Sequence, residues 1–264
     1  MIVVSIIIPC YNQHEMTHEC IQAIVDHTEN YEIIMIDNGS SPPFQSQFMG
    51  FDNELRVIRN ESNEGFSIAA NQGITDARGD IVVLYNNDII CTPGWAEKLV
   101  GWLDEFDIMA PMTNLVGGFQ QITIKPYQSR DELDEVAKDF SKENEGLYWE
   151  VNFAVASMFI KKKIFDDIGY LDESLWPCCG EDIDFCFRAR QAGYRIGIAH
   201  DVYVHHGMSQ TFKSMQTAGL VNYNEVVEQN NKHLTKKWGD DFWYKQHFMY
   251  WLNVASPMSK ERSY

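Results

Sequence analysis

The chain has 264 residues, of which 45% are hydrophobic and 22% are charged, a composition typical of a globular protein with a full core. Its 38 acidic and 21 basic residues give a formal net charge of -17, which disfavours binding to nucleic acid or to an anionic membrane. The opening MIVVSIIIP has no basic leader, and no apolar run is long enough to cross a bilayer. We therefore expect neither a signal peptide nor a transmembrane helix.

The first half of the chain alternates between predicted strands and predicted helices. Apolar runs predict strands at residues 3–8, 32–36, 55–58, 81–85 and 108–111. Apolar residues at helical spacing predict helices that run to about residue 27, over 67–77 and from 93 to about 103. This alternation predicts an α/β fold with a mostly parallel central sheet and helices on both faces.

Polar side chains stand directly behind the central strand. Asn86, Asn87 and Asp88 follow the unbroken apolar run 81–85, which suits a strand that is covered on both faces. In open α/β sheets ligands bind beyond the carboxyl ends of the strands, so a carboxylate here is placed to meet a metal ion or a polar ligand. The alternative is a capped turn, because Asn and Asp are common turn formers.

Several classes of site are excluded by the absence of their motifs. The chain has no G-x-G-x-x-G in its first turn and no G-x-x-x-x-G-K-[ST] anywhere, which argues against a dinucleotide-binding dehydrogenase and a P-loop enzyme. Its six cysteines include no C-x-x-C pair, and the adjacent Cys178 and Cys179 match no common zinc spacing. We interpret the cysteines as reduced thiols of a cytoplasmic protein.

The second half breaks the alternation with a polar insertion at 113–150, which holds one predicted helix near 131–140. A connection of this length is typical of a lid or a binding loop. A strand is predicted at 151–160, and further strands at 195–199 and 202–204 deliver His205 and His206.

Between these strands, three acidic residues crowd the first turn of a helix that Gly193 ends: Glu181, Asp182 and Asp184. The helix dipole alone would favour acidic residues there. Asp182 and Asp184 point about 200° apart on a helix, so at most one of them faces a cleft. Arg188 stands four residues after Asp184, which predicts a structural ion pair.

The tail beyond residue 209 ends in an aromatic segment, 242–252. Core packing of a terminal helix is the favoured interpretation, and a peripheral membrane contact or a homodimer contact are the alternatives.

Read together, six ordered motifs resemble glycosyltransferase family 2, the inverting nucleotide-sugar glycosyltransferases of the GT-A fold. They are SIIIPCYN, IIMIDNGS, NEGFSIAANQGI, NND, GEDIDFCFR and YVHHG. The resemblance implies a nucleotide-sugar-binding and catalytic GT-A domain at 1–209 with the insertion 113–150. It leaves 210–264 as a C-terminal extension, which we expect to be helical.

The resemblance also implies roles for individual residues. Those expected to contact the nucleotide are Pro9, Tyr11, Asn12, Asp37, Asn63, Asn71 and Asn87. Asp88 and His205 are expected to bind Mn²⁺ or Mg²⁺, because a diphosphate leaving as a dianion needs a divalent cation. Asn86 stands where many relatives carry a first acidic residue, so the metal preference stays open. Asp182 is the expected general base, and the acceptor and sugar side comprises Glu181, Ala156 and Trp176.

The implied reaction moves a sugar from a nucleoside diphosphate sugar to an acceptor hydroxyl with inversion. A UDP-sugar is favoured over a dTDP-sugar, and the enzyme would be a hexosyl-, N-acetylhexosaminyl- or rhamnosyltransferase. The acceptor is a saccharide, a lipid-linked saccharide or a protein side chain, and the protein is expected in the cytoplasm, free or at the inner face of the membrane.

Two other classes stay open as alternatives. A sugar nucleotidyltransferase would be expected to carry a glycine-rich, basic first loop, whereas this loop reads PCYNQHE. A noncatalytic carbohydrate-binding protein would account for the aromatic residues but needs neither Asp88 nor Asp182.

Overall fold

The structure is a computed structural model that describes residues 4–44, 55–116, 118–207, 215–217, 219–242 and 258–259. The strands are β1 Val4–Cys10, β2 Tyr31–Asn38, β3 Leu55–Asn60, β4 Ile81–Leu84, β5 Ile89–Ile90, β6 Ile108–Thr113, β7 Leu147–Val151, β8 Met158–Lys161, β9 Ile196–His206 and β10 Met258–Ser259. The helices are α1 His14–His27, α2 Phe66–Asp76, α3 Trp95–Trp102, α4 Arg130–Glu143, α5 Lys163–Ile168, α6 Glu181–Gln191 and α7 Tyr223–Trp238.

One large sheet runs in the order β10-β7-β9-β6-β8-β4-β1-β2-β3, and β5 pairs with β9 outside this path. The half formed by β3, β2, β1 and β4 is parallel. The other half is mixed, because β8 lies antiparallel between β4 and β6, and β7 lies antiparallel to β9. The predicted α/β class is confirmed, and the antiparallel strands are confined to this second half.

Helices cover both faces of the sheet. Ile6 and Val83 point toward α1 and α3, whereas their neighbours Ile7 and Val82 point toward α2, α4 and α6. Successive side chains of a strand alternate between faces, so a continuous apolar run supplies both cores at once. The prediction of a strand covered on both faces is confirmed for β4.

Two predicted strand boundaries were wrong. The run 151–160 is not one strand, because β7 ends at Val151 and β8 begins at Met158. Between them Ala156 and Ser157 have φ angles of 43° and 46°, in the left-handed region, outside the β region of a regular strand. The reverse error occurs at 195–204, where the two predicted strands are a single strand, β9.

The helices in the insertion and the tail are present. Ser129 caps α4 by accepting a hydrogen bond from the Glu132 N–H, and Leu133 and Ala137 are the buried residues of this helix. Of the aromatic segment 242–252 only Phe242 lies within the described residues, where it packs in a small cluster with Leu175 and Leu234. The described part of the chain contains no helix that is long and apolar enough to span a membrane.

Candidate active site

A cavity of about 500 Å³ lies at the carboxyl ends of β1 and β4. From β1 the chain proceeds outward to β2 and β3, and it then returns to β4 on the other side of β1. The connections diverge at this point and leave a crevice, which is where open α/β sheets bind ligands. The turn 86–88 lines the cavity, as do the first residues of α6.

Asp88 and His206 meet at one side of this cavity. The antiparallel pairing of β5 with the end of β9 sets Ile89 opposite His206, and Asp88 Oδ1 lies 3.1 Å from His206 Nε2. The Gly207 N–H donates a 2.7 Å hydrogen bond to the carbonyl oxygen of Asp88. A Cβ on Gly207 would lie 3.1 Å from that oxygen, so this close approach favours glycine.

The hydrogen bonds of His206 make the pair suited to a cation. Its Nδ1 lies 2.8 Å from the Leu115 carbonyl oxygen, an arrangement that places the proton on Nδ1 and is common among metal-binding histidines. In the neutral ring Nε2 then presents a lone pair to the Asp88 carboxylate, and a cation must lie between the two acceptors. A proton is one such cation: burial opposes it, but the hydrogen bond and the charge of Asp88 raise the pKa of His206.

A divalent metal ion is the other cation that this pair fits. A carboxylate oxygen and an imidazole nitrogen suit Mn²⁺, and a carboxylate oxygen suits Mg²⁺. Within the described residues no cluster of three or more His, Cys, Asp or Glu side chains could hold a metal. Asp88 and His206 would therefore supply two ligands and leave the remaining positions to a ligand or to water.

The structure places His205, the predicted metal ligand, away from this pair. Its Nδ1 is hydrogen-bonded to the Tyr127 hydroxyl, which lies 3.2 Å from the Tyr203 hydroxyl. Burial, together with the neighbouring His206, lowers the pKa of His205 and keeps its ring neutral. Adjacent strand residues point in opposite directions, so only one histidine of the doublet borders the cavity, and it is His206.

The two acidic residues at the start of α6 border the cavity and differ in protonation. Burial raises the pKa of Asp182 to about 6, although the Ile183 N–H donates a 2.8 Å hydrogen bond to its Oδ1. Burial and the adjacent Asp182 raise the pKa of Glu181 well above its usual range. Glu181 Oε2 is buried without a hydrogen-bond partner among the described residues. The raised pKa of Glu181 favours its protonated form, whereas Asp182, with a pKa of about 6, is mostly ionised near neutral pH and can accept a proton.

The carboxylate of Asp184 is occupied by ion pairs and hydrogen bonds within the protein. Its carboxylate is fully buried and accepts a 2.9 Å hydrogen bond from Arg188 Nε. Trp238 Nε1 donates at 2.8 Å, and Lys237 Nζ lies at 2.9 Å. The predicted ion pair between Asp184 and Arg188 is confirmed, and the contacts of Asp184 with Lys237 and Trp238 tie α6 to α7.

Four of the predicted nucleotide-binding residues line the cavity: Pro9, Tyr11, Asn63 and Asn87. Asn63 Oδ1 accepts hydrogen bonds from Asn38 Nδ2 at 2.9 Å and from the Gly65 N–H at 3.0 Å. These bonds fix the Asn63 side chain at the wall of the cavity.

The other three predicted nucleotide-binding residues are bound to neighbouring segments. Asp37 is fully buried; it pairs with Arg59 and accepts two backbone N–H bonds from the loop 40–44. Asn12 accepts a hydrogen bond from the same loop. Asn71 forms three hydrogen bonds with the segment 171–173. None of these three residues lines the cavity, although Asn71 is hydrogen-bonded to the lining residue Leu171.

On the predicted acceptor side, Ala156 and Glu181 line the cavity and Trp176 lies beside it. Trp176 is 48% exposed, and a Cβ on Gly65 would lie 2.7 Å from its ring. Because Gly65 has no side chain, the Trp176 ring can approach it closely and lie next to the lining residue Pro177.

Sequence reasoning missed several lining residues besides His206. Leu115 and Val116 follow β6, so the strand-end rule that identified Asp88 could have found them. Met215 and Tyr223 come from the C-terminal extension. They lie outside every motif, so only the tertiary structure identifies them.

Comparisons with known proteins agree with this fold. A crystal structure of GalNAc-T7 with UDP, GalNAc and Mn²⁺ superposes with a TM-score of 0.60 at 14% identity and covers 78% of this chain and 44% of that chain. The mannosyltransferase PcManGT from Pyrobaculum calidifontis, in complex with GDP-Man and Mn²⁺, has a TM-score of 0.55 at 18% identity over 77% of this chain and 56% of that chain. The predicted GT-A fold is confirmed.

Curated relatives carry glycosyltransferase names. Glycosyltransferase AglE of Haloferax volcanii is 27% identical over 75% of this chain, and glycosyltransferase GlyG of Streptococcus pneumoniae is 26% identical over 63%. The matches cover 65% and 59% of these two relatives, so the chain matches less than two thirds of either. The sequence model described as glycosyl transferase family 2 matches residues 5–169. This match spans more than half of the chain, which therefore belongs to glycosyl transferase family 2.

Proposed function

We propose that this chain is an inverting glycosyltransferase that moves a sugar from a nucleoside diphosphate sugar to an acceptor hydroxyl. One observation carries the proposal: a single cavity at the switch point of the sheet brings together the Asp88–His206 pair and Asp182. The first suits a metal-bound diphosphate and the second suits proton abstraction, which are the two requirements of a single-displacement transfer.

The donor lies with its nucleotide between Pro9, Tyr11 and Asn63 and with its diphosphate at Asp88 and His206. Mn²⁺ or Mg²⁺ held by this pair would neutralise the charge that develops on the leaving diphosphate. UDP in the GalNAc-T7 structure and GDP-Man in the mannosyltransferase structure support a nucleoside diphosphate sugar. We favour a UDP-sugar, with a dTDP-sugar as the alternative.

Asp182 acts as the general base. It takes the proton of the acceptor hydroxyl as that oxygen attacks the anomeric carbon on the face opposite the diphosphate. The raised pKa of Glu181 favours its protonated form, which donates a hydrogen bond to a hydroxyl of the bound sugar or acceptor. Apolar lining residues such as Leu115, Val116 and Met158 limit the entry of water. The acceptor is a saccharide, a lipid-linked saccharide or a protein side chain.

The test is release of nucleoside diphosphate from UDP-, dTDP- and GDP-sugars in the presence of Mn²⁺, with water as a slow acceptor. We expect release from the UDP-sugar, its loss in EDTA, and its loss in Asp88→Asn. Asp80→Asn is the matched control, because it makes the same substitution at an exposed residue just before the opposite end of β4.

Binding without release would indicate a carbohydrate-binding protein, and formation of nucleoside triphosphate from added pyrophosphate would indicate a nucleotidyltransferase. A product that keeps the anomeric configuration of the donor would refute the single-displacement mechanism.

A further inference from the structure

Two adjacent thiols, Cys178 and Cys179, line the cavity immediately before α6. Their sulfurs lie 3.6 Å apart, and both residues are partly exposed. The remaining cysteines are buried: Cys10, Cys20, Cys91 and Cys186. Cys10 also borders the cavity but is only 1% exposed, so Cys178 and Cys179 are the most accessible thiols to a small reagent that enters the cavity.

A tertiary contact fixes the backbone of the pair. Cys179 has a φ angle of 82°, in the left-handed region that costs energy for a residue other than glycine. The Asn230 Nδ2 of α7 donates hydrogen bonds to the carbonyl oxygens of Cys178 and Cys179, at 2.8 and 3.0 Å, and Asn230 is buried. These bonds fix the backbone of both cysteines at the cavity wall.

The two thiols are not equivalent. The hydrogen bond from Cys178 lowers the pKa of Cys179, although burial opposes this. The same hydrogen bond, together with burial, raises the pKa of Cys178 well above its usual range. Such an asymmetric pair combines one thiol that reacts as a thiolate with a second that can resolve the product.

We propose that Cys178 and Cys179 form a site of reversible oxidation, at which a hydroperoxide converts the two thiols into a vicinal disulfide and lowers turnover at the cavity. The Cys179 thiolate attacks the O–O bond of hydrogen peroxide, which yields a sulfenic acid and, after protonation, water. The Cys178 sulfur then attacks the sulfenic sulfur and expels a second water. In total, two thiols and one peroxide give one disulfide and two waters; sulfur loses two electrons and oxygen gains them.

The same geometry makes the oxidation reversible. Cα atoms of neighbouring residues are about 3.8 Å apart across a trans peptide, whereas disulfides usually join Cα atoms about 4.4–6.8 Å apart. A disulfide between neighbours is therefore strained, and strained disulfides are readily reduced.

Oxidation also displaces the residues that follow. The sulfurs must move from 3.6 Å to about 2.05 Å, and only Gly180 separates Cys179 from the first residues of α6. A displacement of about 1 Å at a catalytic group can lower a rate by about 100-fold. We expect the oxidised protein to be about 10- to 100-fold less active. This effect on turnover rests on the proposed function, whereas formation of the disulfide does not.

The experiment treats the reduced full chain with hydrogen peroxide and measures both its mass and its UDP release from a UDP-sugar. We expect a species about 2 Da lighter, whose proteolytic peptide joins Cys178 to Cys179, and a loss of UDP release that dithiothreitol reverses. Cys178→Ser and Cys179→Ser should each prevent formation of the lighter species. Cys186→Ser is the matched control that should retain it, because Cys186 is fully buried.

The two readouts separate the inference from the proposed function. If the reduced protein releases UDP but peroxide yields no intramolecular disulfide between these cysteines in the wild-type chain, the inference is refuted. The same holds if the disulfide forms and UDP release is unchanged. If the disulfide forms but the reduced protein never acts on a nucleotide sugar, the proposed function fails and the oxidation site stands.

Discussion

Replacing Asp182 and Asp184 separately by Asn tests the central assignment, because the two carboxylates lie on the same helix turn in different environments. Asp182 borders the cavity, whereas Asp184 is fully buried between Arg188 and Lys237. If Asp182 is the general base, Asp182→Asn should lower turnover about 100- to 10,000-fold. Nucleotide affinity should not change, since Asp182 is not part of the Asp88–His206 pair.

The Asp182→Asn variant should be more stable than the wild type, although its turnover falls. The pKa of Asp182 rises on folding from 3.8 to about 6, so protonation stabilises the fold below about pH 4 and this contribution is lost as the pH rises through 6. Two pKa units correspond to about 3 kcal/mol, and screening by water in the open cavity reduces this to about 1 kcal/mol. Asp182→Asn should therefore unfold at higher denaturant concentration than the wild type at pH 7.5.

Asp184→Asn should destabilise the fold and leave the turnover of the folded protein nearly unchanged. Removing one partner of a buried ion pair costs about 3–5 kcal/mol. Asn can still accept the hydrogen bond from Trp238, so we expect a loss of about 3 kcal/mol. Turnover by the fraction that remains folded should be close to that of the wild type.

The assay combines UDP release at several pH values with equilibrium unfolding in urea. For the wild type, UDP release should increase with pH through about 6 and then reach a plateau, because Asp182 must be ionised to accept a proton. The reasoning is refuted if Asp182→Asn keeps near-normal turnover while folded Asp184→Asn has none. It also fails if the rate is independent of pH between 5 and 7, a range set by the pKa of about 6.

Three further substitutions test the site and its support. His206→Ala should weaken Mn²⁺-dependent UDP binding about 10-fold or more, whereas His205→Phe should keep the affinity within about 2-fold of the wild type. Equal effects of the two substitutions in UDP titrations would contradict the choice of His206. Asn71→Ala should cost about 2–3 kcal/mol in urea unfolding, since it removes three hydrogen bonds to the segment 171–173, and unchanged stability would show that these bonds contribute nothing. Gly73→Ala should cost about 1–3 kcal/mol by overpacking, because its Cβ would lie 2.4 Å from a β1 side chain; a neutral effect would mean that α2 shifts freely on the sheet.

The sequence alone was sufficient for the fold class and for much of the site. Apolar runs of β-branched residues form buried strands through local and hydrophobic preferences. Polar residues that directly follow such a run must lie at the carboxyl end of the strand. This reasoning located Asp88 and Asn87 correctly at the cavity. Helical geometry likewise separated Asp182 from Asp184, since both the 200° angle and the spacing to Arg188 are local properties.

Three features were decided only by the tertiary structure. The choice between His205 and His206 depends on the register of β5 against β9, which no local pattern contains. The break at Ala156 and Ser157 arises in a turn whose backbone is tied to Gln120 of the insertion by hydrogen bonds of 2.8 and 3.0 Å at Val155. Cys178 and Cys179 are held at the cavity by Asn230, about 50 residues further along the chain. In each case the deciding contact joins segments distant in sequence, and its energy is available only after the chain has closed the intervening loop.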